Sequence, residues 1–297
     1  MLKRLGLAVG VMSAAVTSAA AQRDFSGVEI TTTEVRPGIY MLEGAGGNIG
    51  LSVGPDGAFV IDDQFAPLAD KIAAAIGKVS AEPVRFVLNT HWHGDHAGGN
   101  EAFRAKGAII VAHDNVRKRL KEGLKRETGE TPPAPAGALP VVTFSDSVSF
   151  YWNGHEFRVR HAAGAHTDGD AIVHIETANV VHMGDIFFNG GYPFIDIASG
   201  GDLDGLIAAQ DAVLNLIDDD TRIIPGHGPL ATKADLASHV AMLKDVRARI
   251  NALIAQGLDE AAMIKADPLK DLNAKWGVGF INGEAMTRTA YRSLTAE

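Results

Sequence analysis

The chain has 297 residues, 46% of them hydrophobic and 21% charged, with a formal net charge of -9 at pH 7. That length and apolar content suit a substantial core in one large domain or two small ones, and they exclude a disordered, collagen-like or coiled-coil chain. The acidic balance argues against a general nucleic-acid binder, and the absence of cysteine rules out disulfides, thiolate metal ligands and a cysteine nucleophile.

The chain begins with a stretch that does not read as fold. Lys3 and Arg4 form a basic start, Leu5 to Val16 is a run of apolar and small residues, and Ala19-Ala20-Ala21 offers a peptidase site. The run is short for a bilayer span. Residues 1–21 are therefore expected to be an export signal, removed to leave residues 22–297 in a bacterial periplasm without stable membrane insertion. Function there would not depend on oxidising conditions, since no cysteine is present.

Short apolar segments follow at Ile39–Glu43, Asn48–Val53 and Ala58–Asp62, punctuated by glycine-rich turns, and predict strands. Phe65–Lys78 has apolar residues at helical spacing. Val84–Leu88 reads as a strand buried on both faces. A helix is expected near Ala97–Ala105, a strand at Ala108–Ala112 and a basic solvated helix at Asp114–Arg126. Thr128–Pro140 holds four prolines and predicts a surface loop or insertion. Strands are expected again at Val141–Trp152, Phe157–Ala162, Ala171–Ile175, Val180–Met183 and Arg222–Ile224. Helices are expected at Leu203–Ile217 and from Leu236 to Leu253. Two strand-rich halves, each followed by helices, suggest packed sheets with helices outside.

The informative segment is Asn89-Thr90-His91-Trp92-His93-Gly94-Asp95-His96, directly after the strand Val84–Leu88. Side chains alternate along extended backbone, so His91 and His93 can point the same way. Asp95 and His96 can then turn to a second position. Imidazole and carboxylate are the ligands a zinc-type ion takes when no thiolate exists. His166, Asp185 and His227 also follow strands or turns, each with a neighbouring glycine that permits close backbone approach. His113, His155, His161, His174, His182 and His239 fall outside the pattern and are expected at the surface or in packing.

These blocks resemble the metallo-β-lactamase-fold hydrolase superfamily, and in particular an exported β-lactamase-like branch with a glyoxalase II-like site made of His and Asp alone. The resemblance implies an α/β fold, a four-layer αββα sandwich, with one catalytic domain over residues 22–297. It implies a first metal held by His91, His93 and His166, a second held by Asp95, His96 and His227, and Asp185 bridging them. It implies two zinc ions per chain, with iron or manganese also compatible with the ligands. Asp62, after a strand, looks like a carboxylate that orients a ligand, with Asp63 as its competitor. Trp92 and Asn189 are candidates for the substrate pocket, although Trp92 could equally pack beneath the site.

The chemistry so implied is attack on a carbonyl by a hydroxide shared between the metals, with Asp95 orienting it and handling a proton. A small molecule is the expected partner: a β-lactam or related cyclic amide or ester, with a lactone or a glyoxalase II-type thioester as the alternative. Phosphodiester or nucleic-acid cleavage and a non-catalytic zinc-binding role remain as further alternatives. The true lactamases commonly place a cysteine where Asp185 stands, with a lysine a few residues on; here Ile186-Phe187-Phe188-Asn189 fills that stretch.

Overall fold

A computed structural model describes residues 24–126 and 129–296, so the predicted export signal at residues 1–21 lies outside the described residues. The first half of the chain builds one sheet. β1 (Thr31–Arg36), β2 (Ile39–Glu43), β3 (Ile49–Ser52) and β4 (Ala58–Ile61) form an antiparallel meander. After helix α1 (Ala69–Ile76) the chain re-enters as β5 (Val84–Leu88), parallel to β4. Two short helices, α2 (Gly94–Ala97) and α3 (Asn100–Ala105), lead to β6 (Ile109–His113). Helix α4 (Asp114–Glu122) and a small hairpin of β7 (Leu124–Arg126) and β8 (Gly129–Thr131) precede β9 (Val142–Phe144), which closes the seven-stranded sheet.

The second half builds a five-stranded sheet from β10 (Ser147–Trp152), β11 (His155–Ala162), β12 (Asp170–Ile175), β13 (Val180–Phe188) and, after helix α5 (Leu203–Leu216), β14 (Arg222–His227). Helices α6 (Lys233–Ala255), α7 (Glu260–Ala266), α8 (Asn273–Trp276) and α9 (Gly283–Thr295) complete the chain. Helix α6 starts at Thr232, whose side chain accepts from Asp235 N while Asp235 accepts from Thr232 N, a reciprocal cap.

Three apolar layers hold these elements. Phe59, Ile61, Leu88 and Val111 of the first sheet face Phe157, Val173, Val180 and Ile224 of the second. Phe59 stacks on Phe157 with ring centroids 4.7 Å apart. The other face of the first sheet buries Leu51, Val60 and Ile110 against Leu68, Ile72 and Phe103. The other face of the second buries Val181 and Met183 against Leu206, Leu236, Leu243 and Met286. The result is the αββα sandwich. Among the described residues, no helix is long and apolar enough to cross a membrane.

Several boundaries differ from expectation for local reasons. The basic helix stops at Glu122, because Gly123 turns the chain at φ 68 and residues 124–126 pair with 129–131 instead. Val141–Trp152 is not one strand: β9 pairs with β6 while β10 pairs with β11, so the chain changes sheets between Phe144 and Ser147. Val84–Leu88 is not buried on both faces throughout, since Arg85 is exposed. The helix expected near Ala97 is split at Gly98-Gly99, where Asp63 Oδ1 accepts from Gly99 N at 2.8 Å. The proline-rich segment docks on α3: Asn100 donates to Ala138 O, and Arg104 donates to Ala136 O and Leu139 O.

Candidate metal centre

The carboxyl ends of β5, β13 and β14 meet at one edge of the sandwich. The loop after β5 carries His91 and His93, and α2 carries Asp95 and His96. The turn after β11 carries His166, β13 carries Asp185, and β14 ends on His227. These seven side chains converge. Ligand atoms of His91, His93, His166 and Asp185 lie within 4.8 Å of one another, and so do those of Asp95, His96 and His227.

Asp185 stands between the two groups. Its Oδ2 is 3.7 Å from His91 Nε2 and 3.6 Å from His166 Nε2, while its Oδ1 is 3.0 Å from His96 Nε2 and 3.4 Å from His227 Nε2. One carboxylate oxygen thus faces each group. The backbone makes room for it through glycine: a Cβ on Gly226 would sit 2.1 Å from Asp185 Oδ1, and one on Gly47 would sit 2.0 Å from His96 Cε1. Neither position admits a side chain while those rings and oxygens stay where they are.

Hydrogen bonds from behind fix which nitrogen His166, His93 and His96 present. His166 Nδ1 donates to Phe194 O at 2.7 Å, so its Nε2 faces the site with a lone pair. His93 Nε2 donates to Asp196 Oδ2 at 2.9 Å, so its Nδ1 faces the site. These two bare nitrogens lie 2.9 Å apart. Two lone pairs at that separation repel unless a cation sits beside both. His91 Nε2 is buried with no hydrogen-bond partner. The donor chemistry therefore fits a divalent cation coordinated by nitrogen and oxygen.

Asp62 lies behind the second group. It is buried, its Oδ1 accepts from Thr90 N at 2.7 Å, and its Oδ2 accepts from Thr90 Oγ1 at 2.7 Å and from His96 Nδ1 at 2.8 Å. His96 Nε2 is left facing Asp185. Asp62 occupies the left-handed region at φ 64, a conformation Asp and Asn tolerate better than most residues. Asp63, its competitor, turns its carboxylate the other way onto Gly99 N and meets a ligand residue only through its backbone N, which donates to His96 O at 2.7 Å.

Electrostatics divide the site. Burial pushes His91 well below the ordinary imidazole range and His166 down to about 4, which keeps both neutral and able to coordinate. Burial acts the same way on His96 and His227, but the carboxylates of Asp185 and Asp95 outweigh it. They lift His96 well above its usual value and His227 to about 9. Asp185 is held well below the carboxylate range: burial opposes this, and His96, His227 and His91 overcome it.

The site opens into a cleft of about 800 Å³. His93, Asp95, Asp185, His227 and Asn189 line it. Asn189 donates its Nδ2 hydrogen to Pro229 O at 2.9 Å. Of the two roles open to Trp92 the structure shows packing: it does not line this cleft but is buried with Ala97, Ala112, Val116 and Leu120. None of the described residues of the proline-rich segment lines the cleft. The other histidines stay outside the ligand groups; His182 is buried and donates to Asn48 O at 3.0 Å, and His113 stacks on His161.

Two supporting carboxylates escape sequence reasoning. Asp196 orients His93 from 103 residues away and also accepts from Ser199 Oγ. Asp170 accepts from the backbone N of His166 and Thr167 and from Thr167 Oγ1, and burial pushes its carboxyl up to about 8. For Asp170 the only available signal was an acid four residues from a candidate ligand, and the chain is rich in those; Asp196 had no such signal.

A profile of the metallo-beta-lactamase superfamily matches residues 43–227, the stretch that contains every clustered ligand. A hydroxyacylglutathione hydrolase of Polaromonas sp. is 29% identical over 189 residues, which are 61% of this chain and 65% of that protein. The chain thus spans less than two thirds of that relative's length. Among solved structures, a metallo-beta-lactamase from Pontibacter korlensis superposes with a TM-score of 0.61 at 19% identity, over 73% of this chain and 100% of that one. The inverting sec-alkylsulfatase Pisa1 from Pseudomonas sp. superposes with a TM-score of 0.69 at 17% identity, over 89% of this chain and 50% of that one. At such identities the structural matches speak for the fold alone.

Proposed function

The chain belongs to the metallo-beta-lactamase superfamily, and on that footing we propose that it is an exported dinuclear zinc hydrolase. Its reaction would open a carbonyl–heteroatom bond in a small lactam, lactone or thioester. The observation that carries this reading is Asp185, which turns one oxygen toward His91 and His166 and the other toward His96 and His227. His91, His93 and His166 would hold one ion, Asp95, His96 and His227 the other, and Asp185 both.

Bound divalent ions supply Lewis acidity, which polarises a substrate oxygen and acidifies a water. The chain's residues supply the rest. Asp95 is partly exposed on the cleft floor, with Oδ2 3.5 Å from His227 Nε2, and can take a proton from an attacking water and return it to the leaving atom. Asp62 and Asp196 hold the His96 and His93 rings to the needed nitrogen. Phe188 stacks on His227 and Phe194 packs beside His166, and these apolar walls limit water at the reacting atoms.

A thioesterase of the hydroxyacylglutathione hydrolase type is the second reading, favoured by the 29% identity to that relative. The test is zinc-loaded protein assayed on a penicillin, a carbapenem, a homoserine lactone and an acyl-glutathione. Turnover of at least one is expected. Fully loaded protein that cleaves none of them, yet cleaves bis(4-nitrophenyl) phosphate, would replace this reading with a phosphodiesterase. Loaded protein inert on all five would mark a zinc-binding protein without turnover.

A further inference from the structure

Resting on that hydrolase reading, we infer that the cleft selects a neutral acyl group with an apolar tail, and that Phe280 is the residue that sets this preference. Three observations carry it. First, among the described residues that line the cleft, none is Lys or Arg; its acids are Asp95 and Asp185, both in the ligand groups. A carboxylate at the far end of a substrate would find no cation there and would lose water against aromatic rings.

Second, aromatic side chains run outward from the ligands. Phe194 lies 5.8 Å from the His166 ring and 6.0 Å from His93, and Phe280 lies 6.3 Å from Phe194 at 83°. Phe188, stacked on His227 at 4.9 Å, forms the facing wall. A chain leaving the ligand groups along this path meets apolar surface until it reaches solvent. Phe280 itself is 86% exposed, so it buries little in the free protein and has apolar area to offer a ligand.

Third, the turn that carries Phe280 is built in. Tyr192 N donates to Trp276 O at 2.8 Å and Tyr192 Oη donates to Asn273 Oδ1 at 3.2 Å, so α8 is tied to the loop that carries Phe194. On the other side Asn282 caps α9 by accepting from Ala285 N. The family profile ends at residue 227, so Phe188 and Phe194 lie within it while Phe280 comes from chain that the profile does not describe.

The test uses a matched pair: 4-nitrophenyl hexanoate and mono-4-nitrophenyl adipate, which share six acyl carbons and differ in a terminal carboxylate. Zinc-loaded protein should favour the hexanoate at least tenfold in kcat/KM. It should also favour hexanoate over 4-nitrophenyl acetate by about 15-fold, the equivalent of burying two of the four additional methylenes. Phe280→Ala should cut hexanoate kcat/KM at least threefold more than acetate, mainly through KM, with Phe280→Leu recovering part of it. Phe280→Lys should shift preference toward the adipate. Equal use of hexanoate and adipate, or an unchanged hexanoate-to-acetate ratio in Phe280→Ala, overturns the inference. Binding of the corresponding 4-nitroanilides to metal-free protein, read by calorimetry, gives the same comparison without turnover. If no ester is cleaved but the neutral anilide binds tighter and Phe280→Ala abolishes the difference, the hydrolase reading falls and the specificity stands. Equal anilide binding overturns it on its own.

Discussion

Asp62→Asn changes one hydrogen-bonding group and little else. Asn accepts the left-handed backbone at φ 64 and matches Asp in shape. The native carboxylate accepts three hydrogen bonds, from Thr90 N, Thr90 Oγ1 and His96 Nδ1, at 2.7 to 2.8 Å with no water access. An amide can accept on one side only. If its oxygen stays on Thr90 N, its NH2 faces His96 Nδ1–H, and a buried donor loses its acceptor. That costs about 1–3 kcal/mol. The ring can escape by moving its proton to Nε2, but Nε2 is then no longer free to coordinate. Either route should weaken metal binding by the Asp95–His96–His227 group about 10- to 100-fold, the range typical for losing an outer hydrogen-bond partner. The group of His91, His93 and His166 should change by less than about threefold. Competition with a chromophoric chelator resolves the two affinities. Equal affinities for the variant and the parent protein would refute the claim that Asp62 sets the His96 tautomer.

Three further outcomes are expected. Asp185→Asn should remove about one equivalent of zinc per chain by elemental analysis, because the carboxylate that both groups face is neutralised; full occupancy would show that it is not shared. Asp196→Asn should weaken the other group about tenfold and leave the His96 side intact, which the same chelator titration reads. His239 is fully buried against Gln210, and burial holds it down to about 3. Its folded value lies below its unfolded value near 6.5, so the unfolded chain takes up the proton first and stability falls as pH drops through that window. Between pH 7 and 4.5 this should cost about 2–3 kcal/mol in metal-free protein. His239→Gln should flatten that slope in urea titrations at the two pH values; parallel losses in both proteins would discount the histidine.

The architecture was legible where period and punctuation agree. The strands at Ile39–Glu43, between two glycines, and Val84–Leu88, after Pro83, are largely apolar, and the structure gives them those bounds. The segment from Val141 to Trp152 misled because both sheets accept the same alternating residues; what separates them is which neighbour offers a free edge, a non-local fact. Helices α7 and α8 were not anticipated because seven and four residues give too little periodicity to read, and α9 was missed although Met286 and Ala290 share its buried face. Within the site, the local motif from His91 to His96 was legible because its ligands lie within six residues. Asp196 and Asp170 were not, because a supporting acid is defined by the ring or backbone it meets and not by its own surroundings in the chain. Trp92 sits between two ligands, yet the loop after β5 turns it away from them, into the core.

The ligand groups draw on both sheets, and this orders events in time. His93 meets His166 across 73 residues, and His96 meets His227 across 131. Loop closure over such spans must be met by sheet packing before any ion could repay it. An ion could meet the local run from His91 to His96 early, but it would gain His166, Asp185 and His227 only once the sheets have packed. Held by ligands from both sheets, an ion would then join the two halves of the chain at their common edge and add its binding free energy to the packing between them.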